Sequence, residues 1–182
     1  MIKVNFKVSY PLLTGILSLD YNESEMESEI ERVKLLVSSN TNKIVDNLEL
    51  ITSAKVGFEE IDIFLVKGMY PSIINPNLLN VNKDDDLVLF DFVYILAHNL
   101  FVDCNYYDYF ITDFGVDERS LEASIYYVVK LVLSKVYSEK FASDLFAKMF
   151  LHDPFIEYLI KDVESFENGS KTNTFIKHIN TK

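Results

Sequence analysis

The chain has 182 residues, of which 49% are hydrophobic and 14% aromatic, and its formal net charge at pH 7 is −11. This length and apolar content suffice for one domain with a buried core and exclude a largely disordered chain, while the single cysteine excludes an internal disulfide. The strong negative charge argues against nucleic acid and anionic membranes as partners, because both attract clusters of Lys and Arg.

Three strands and two helices are predicted in the first part of the chain. Residues 2–10 alternate apolar and polar side chains, which is the pattern of a half-buried strand. Residues 23–39 and 42–54 have the spacing of amphipathic helices. Residues 59–68 are rich in β-branched and aromatic side chains and predict a second strand. Residues 78–82 are expected to add a short edge strand beside it.

Helices dominate the remainder of the chain. Three aspartates at positions 84–86 offer an N-cap and favourable dipole charge to a long helix over residues 86–105. Further helices are predicted over residues 117–137, after Ser138, and from residues 153–154 onwards. This order of elements predicts an α+β fold that is mainly helical, with a small sheet packed on a central buried helix.

The chain is expected to form a single domain, in the cytoplasm. No repeat, low-complexity run or long linker divides residues 1–168, and residues 169–182 predict a polar, mobile tail. The longest apolar stretch, residues 87–97, is interrupted by Asp91 and is too short to span a bilayer. Together with the single cysteine, this pattern favours a soluble protein of a reducing compartment.

The predicted helix over residues 86–105 is apolar on nearly every side, which is typical of a helix in the middle of a domain. Its few polar positions recur about two turns apart and lie on one stripe: Asp84, Asp91, His98 and Asn105. Tyr94 and Asn99 flank this stripe. Such a stripe either faces a cleft or is the solvated edge of the helix, so His98 is either a site residue or an ordinary histidine bonded to a nearby oxygen.

The stretch YILAHNLFVD, residues 94–103, resembles the metal-binding helix of gluzincin-type metallopeptidases. These enzymes carry His-Glu-x-x-His on a central helix and take a third metal ligand, a glutamate, from a following helix. The matching frame here begins at His98 and ends at Val102, and Glu122 lies at the family's distance beyond it. The strand-like segments IDIFLVKG and LLNVN that precede the helix also resemble the family. The resemblance covers residues 59–130 and implies a zincin-like fold.

Two departures from the family motif imply a non-catalytic domain without a metal cofactor. Asn99 stands at the position of the catalytic glutamate, and an amide cannot take a proton from a metal-bound water. Val102 stands at the second histidine position, and a catalytic zinc normally has three protein ligands. The resemblance therefore implies a structural module or one that binds a protein or peptide. Its candidate vestigial cleft comprises six residues: His98, Asn99, Val102, Glu122, Asp91 and Tyr94.

Two other functions remain open from the sequence. The chain could be an unrelated, mostly helical interaction protein whose apolar last helices extend the core or form a homo-oligomer face. It could also be an enzyme that uses an acidic cleft, in which Asp91 and Glu122 flank His98. Glu122 has a purely structural explanation as well, because an acid near the start of a helix favours the helix dipole.

Overall fold

A computed structural model describes seven parts of the chain: residues 2–8, 23–66, 77–81, 84–104, 118–152, 157–158 and 161. These parts form eight elements of secondary structure, in the order β1 (Lys3–Val8), α1 (Glu23–Ser38), α2 (Thr41–Thr52), β2 (Glu60–Val66), β3 (Leu78–Asn80), α3 (Asp85–Asp103), α4 (Glu118–Val136) and α5 (Glu139–His152). The predicted α+β fold is confirmed, and the elements predicted within these ranges are all present, with ends shifted by a residue or two.

Three sequence predictions fall on residues outside the described ranges. They concern Asn105 of the polar stripe, the tail over residues 169–182, and most of the helix predicted from residues 153–154 onwards. Of that last helix only residues 157, 158 and 161 are described, and all three are helical.

The three strands form one parallel sheet in the order β1-β2-β3, so β3 is an edge strand as predicted. Lys3 pairs with Glu60, and Phe64 pairs with Leu78. Parallel strands need a long connection between them. Helices α1 and α2 supply this connection between β1 and β2.

The exposed face of β1 and β2 carries a ladder of charged and polar side chains. Lys3 Nζ lies 3.1 Å from Glu60, Lys7 Nζ lies 2.5 Å from Asp62, and the Asn5 amide donates to both carboxylates. Exposed ion pairs contribute little stability individually. They do favour this register, because a slip by one residue would turn both lysines towards the core.

Helix α3 is the centre of the fold. It packs against β3 and against α1, α4 and α5. Ten of its side chains are buried: Val88, Leu89, Phe90, Phe92, Val93, Ile95, Leu96, Ala97, Leu100 and Phe101. The prediction of a small sheet on a central buried helix is therefore confirmed.

The aspartate run at the start of α3 serves to cap the helix and join it to its neighbours. Asp84 accepts a hydrogen bond from the backbone N–H of Leu87 at 3.0 Å, which confirms the predicted N-cap. Arg32 of α1 pairs with Asp85, and Lys148 of α5 pairs with Asp86 at 2.6 Å. The start of α3 is thereby connected to two other helices.

The start of α5 is also capped as predicted. The hydroxyl of Ser138 accepts a hydrogen bond from the backbone N–H of Phe141 at 3.0 Å. Among the described residues, no helix is both long enough and apolar enough to cross a lipid bilayer.

Candidate functional site

A stripe of incompletely buried side chains runs along α3, and it includes four of the six predicted cleft residues: Asp91, Tyr94, His98 and Val102. The last three are spaced four residues apart, so they share one face of the helix. Asp91, Tyr94 and His98 are half-buried, and Val102 is 50% exposed. We call these four residues the α3 stripe.

Glu122 of α4 reaches the α3 stripe through Tyr94. The Tyr94 hydroxyl donates a hydrogen bond to Glu122 Oε1 at 2.5 Å. The Tyr94 ring also lies against His98, with 6.0 Å between the ring centroids, and against Tyr126 of α4, at 5.3 Å. The two positions that match metal ligands of the resembled family, His98 and Glu122, therefore both border Tyr94.

Burial sets the protonation state of His98. Removal of the imidazole from water disfavours its charged form and lowers the pKa of His98 below its ordinary value of 6.5. At neutral pH the ring is therefore uncharged. A neutral imidazole is the form that binds metals and accepts protons, so the environment of His98 is compatible with either role.

Asn99 is held by two hydrogen bonds. Its side-chain amide donates to Asn77 Oδ1 at 2.6 Å and to the carbonyl of Ile95 at 2.8 Å. Asn77 immediately precedes the edge strand β3, so this amide connects the central helix to the sheet. The sequence identified Asn99 by its position in the motif and missed Asn77, because the two residues meet only through the tertiary fold.

Asp91 does not join His98 as an acid–base pair. The two residues are seven positions apart on a continuous helix, which corresponds to about 10.5 Å along the axis. Direct proton transfer requires hydrogen-bond distance. One oxygen of Glu122 is meanwhile engaged by Tyr94. This spacing counts against an enzyme that uses Asp91, His98 and Glu122 together.

The described residues do not assemble a complete metal centre. Within those parts of the chain, no three side chains from His, Cys, Asp and Glu lie close enough together to hold a metal ion. His98 and Glu122 supply two such groups beside Tyr94, and Val102, at the position matching the second histidine, supplies none.

The fold and the stripe define an α+β domain whose central helix carries a half-buried histidine beside a tyrosine–glutamate pair. Comparison with known proteins adds no relative, since no protein family, curated protein or solved structure matches the chain. The function is therefore inferred from the geometry of the chain itself.

Proposed function

We propose that this protein is a non-catalytic, metallopeptidase-like domain that binds a protein or peptide partner along the α3 stripe. The observation that supports it is the meeting of His98 and Glu122 at Tyr94, since these are the two ligand positions of the family motif that the chain retains. The positions that would complete the chemistry carry an amide at Asn99 and an isopropyl group at Val102.

The loss of catalysis follows from the side chains at the two altered positions. The Asn99 amide is engaged as a hydrogen-bond donor to Asn77, and an amide has no basic group that could activate water. Val102 is half-exposed, so an apolar side chain is presented at the position where a metal ligand would stand. In the proposed complex Val102 contributes apolar contact area to the partner that docks along the α3 stripe.

The peptidase-like origin is tested by restoring the missing groups with the double substitution Asn99→Glu and Val102→His. We expect this variant to bind zinc at least tenfold more tightly than the unchanged protein, because the new imidazole would join His98 and Glu122 as a third ligand. The affinity is measured by competition with a chromophoric zinc chelator, on protein without a histidine tag.

Two matched controls identify the source of any gain in zinc affinity. The first control is the double variant Asn99→Glu with Val102→Leu, which lacks the new ligand. The second control adds His98→Ala to the restored variant and so removes an existing ligand. Both should return the affinity to the starting value. A folded restored variant with no gain in zinc affinity overturns the peptidase-like origin, and zinc-dependent peptide hydrolysis by the unchanged protein overturns the claim that it is non-catalytic.

The binding role is tested with peptides selected from a random library displayed on phage against the unchanged protein. We expect Val102→Arg to weaken the selected peptides at least tenfold, because it places a charge at the exposed end of the stripe. Leu35→Arg is the matched control, since Leu35 is an exposed apolar residue on α1, 76% exposed. Equal binding to the two variants would show that the α3 stripe is not the docking surface.

A second candidate function, self-association of an unrelated helical protein, has one observation in its favour. Leu35 of α1 and Leu50 of α2 are 76% and 73% exposed, so a large apolar side chain of each of these successive helices faces solvent. If these leucines form a dimer face, light scattering of the unchanged protein gives twice the monomer mass. The double variant Leu35→Arg with Leu50→Arg then gives the monomer mass.

A further inference from the structure

The sheet formed by the described residues has two edge strands, β1 and β3, and they differ in burial. All three residues of β3 are buried. No residue of β1 is fully buried, although Val4, Phe6 and Val8 pack against the core. The β2 side chains that pair with these three are almost completely buried: Ile61, Ile63 and Leu65. The core side of the sheet is therefore well covered at β2 and β3 and only partly covered at β1.

The backbone of β1 has hydrogen-bonding groups on the side that faces away from β2, which we call the β1 edge. In a parallel pair, every second residue directs its N–H and C=O groups to the neighbouring strand, and the residues between direct theirs away. The N–H of Lys3 donates to the carbonyl of Glu59 at 3.0 Å, so Lys3 faces β2. The groups of Val4 and Phe6 therefore point to the β1 edge, and within the described part of the chain they form no hydrogen bond. Such groups are a template for a further strand.

The solvent side of the sheet indicates which charges suit a strand at the β1 edge. Lys3 pairs with Glu60 and Lys7 pairs with Asp62, yet the two lysine side chains are still 69% and 48% exposed. An ammonium group has three donors, so each lysine can bond a second carboxylate from the other side. Opposite charges on adjacent strands stabilise a sheet, and like charges destabilise it. A second copy of β1 is a poor occupant, because this strand has two lysines and no acid.

The net charge of −11 opposes an acidic ligand at long range. At physiological ionic strength the Debye length is about 8 Å, so charges spread over the whole surface are largely screened. Side chains directly opposite each other on adjacent strands are about 5 Å apart, which is within that length. The two lysines of β1 therefore determine the charge preference of the β1 edge at physiological salt.

We propose that the β1 edge is a docking site for an extended segment of a partner protein, which adds a strand to the sheet. Apolar residues of this segment lie beside Val4 and Phe6 on the core side, and acidic residues lie beside Lys3 and Lys7 on the solvent side. The two kinds of residue alternate, because successive side chains of a strand point to opposite faces. The β1 edge shares no residue with the α3 stripe, so this proposal does not depend on the proposed function.

The proposal is tested by fluorescence anisotropy with labelled heptapeptides at physiological salt. A peptide of alternating Val and Glu should bind at least tenfold more tightly than one of alternating Ser and Glu, which lacks the apolar side chains. It should also bind at least tenfold more tightly than one of alternating Val and Lys, which brings like charges to Lys3 and Lys7. Equal or tighter binding of either comparison peptide overturns the proposed chemistry of the segment.

Two N-methylated forms of the Val/Glu peptide test strand addition itself. One is methylated on the backbone amides of its valines, and the other on those of its glutamates. In an antiparallel added strand the valine N–H groups face β1, and in a parallel one the glutamate N–H groups do. One form should therefore bind at least tenfold more weakly than the other, and which one it is gives the direction of the strand. Equal affinity of the two forms overturns strand addition.

A pair of variants at one position identifies β1 as the strand that is extended. Val4→Pro removes an N–H at the β1 edge and retains the hydrogen bonds to β2, so the fold should persist, as proline is tolerated on edge strands. Val4→Ala is the matched control, because it also loses the valine side chain and keeps the N–H. Val4→Pro should weaken the Val/Glu peptide at least tenfold relative to Val4→Ala. Equal binding by the two folded variants overturns the β1 edge as the site. If Val4→Pro does not fold, the methylated peptides decide the question with the unchanged protein.

Discussion

The contact between the Tyr94 hydroxyl and the Glu122 carboxylate joins the two longest helices at the candidate site, with 2.5 Å between the oxygens. Hydrogen bonds to a charged group contribute more than those between neutral groups. This contact is half-buried, so water competes for it and reduces its net contribution. The ring contacts of Tyr94 with Phe90 and Tyr126 do not require the hydroxyl.

We therefore expect Tyr94→Phe to lower the free energy of unfolding by about 1 kcal/mol, since it removes the hydrogen bond and retains the ring. Glu122→Gln should have an effect of similar size, and the double variant should cost less than the sum of the two. Urea unfolding followed by circular dichroism measures all three values as a double-mutant cycle. A coupling energy near zero would mean that the hydroxyl and the carboxylate do not act as a pair.

His98 gives a pH dependence whose sign follows from burial. The pKa of His98 is lowered in the folded state, so the unfolded chain binds a proton more readily than the folded one. Stability from this group is complete above the unfolded value of 6.5 and is lost as pH falls below it. We expect the melting temperature to fall between pH 7.5 and pH 5.5, and to fall less in His98→Gln. An identical slope in that variant would assign the effect to other groups.

At the residue scale, the sequence predicted which side chains of the site share a helix face. It did not predict the residues that these side chains contact. Tyr94, His98, Val102 and Asp91 share a helix face, and helical spacing alone predicts that. The partners of Tyr94 and Asn99 come from α4 and from Asn77. Their approach depends on how distant segments pack, which local periodicity does not encode.

At the scale of elements, the beginning of α3 shows how a short polar run can have several roles. Asp84 caps the helix through the Leu87 N–H, and its carboxylate also lies 3.8 Å from Lys148. The cap was predictable, because it depends on residues three positions apart. The ion pairs to Arg32 and Lys148 were not, since their partners lie 53 and 62 residues away in sequence.

Two substitutions separate capping from charge at Asp84. We expect Asp84→Ala to lower the free energy of unfolding by about 1 kcal/mol, because the Leu87 N–H loses its side-chain acceptor. Asp84→Ser retains an acceptor and loses the charge, so it should cost much less. Thermal and urea unfolding report both values. Equal losses in the two variants would show that the charge near Lys148, rather than the cap, provides the stabilisation.

On the scale of the whole molecule, the dominant electrostatic feature is the net charge of −11. Charge of one sign destabilises a compact state by self-repulsion. The ion pairs found within the described ranges are largely on the surface, where each contributes little. Salt screens both the long-range repulsion and these ion pairs. The relief of the repulsion is therefore expected to stabilise the fold more than the weakening of the pairs destabilises it.

We accordingly expect the melting temperature to rise by about 2 °C or more when NaCl is increased from 0.01 to 0.2 M, a change of the order of 1 kcal/mol. Differential scanning fluorimetry at fixed pH measures this shift. A matched series in KCl controls for specific binding of sodium. A melting temperature that falls with either salt would mean that local ion pairs outweigh the net charge.

The α+β class could be predicted from the sequence because it depends on the order of local patterns, whereas the sheet pairing could not. Residues 2–10 and 59–68 both have strand patterns, yet nothing in either pattern specifies that they pair in parallel. A groove of about 580 Å³ between α2 and the segment before β2 was missed for the same reason, since it combines these two segments with Ile2, the residue before β1. Each of these segments is unremarkable when read alone.

The pairing of β1 with β2 also bears on the order in which the protein folds. Lys3 and Glu60 are 57 residues apart, and the strands that contain them lie side by side. During synthesis β1 emerges first, and its backbone N–H and C=O groups cannot pair with those of β2 until β2 has been made. Contacts of such long sequence separation form slowly, because a large loop must close before they are made. Any nascent chain that stops before residue 60 therefore carries β1 without its partner strand and depends on α1 and α2 alone for local structure.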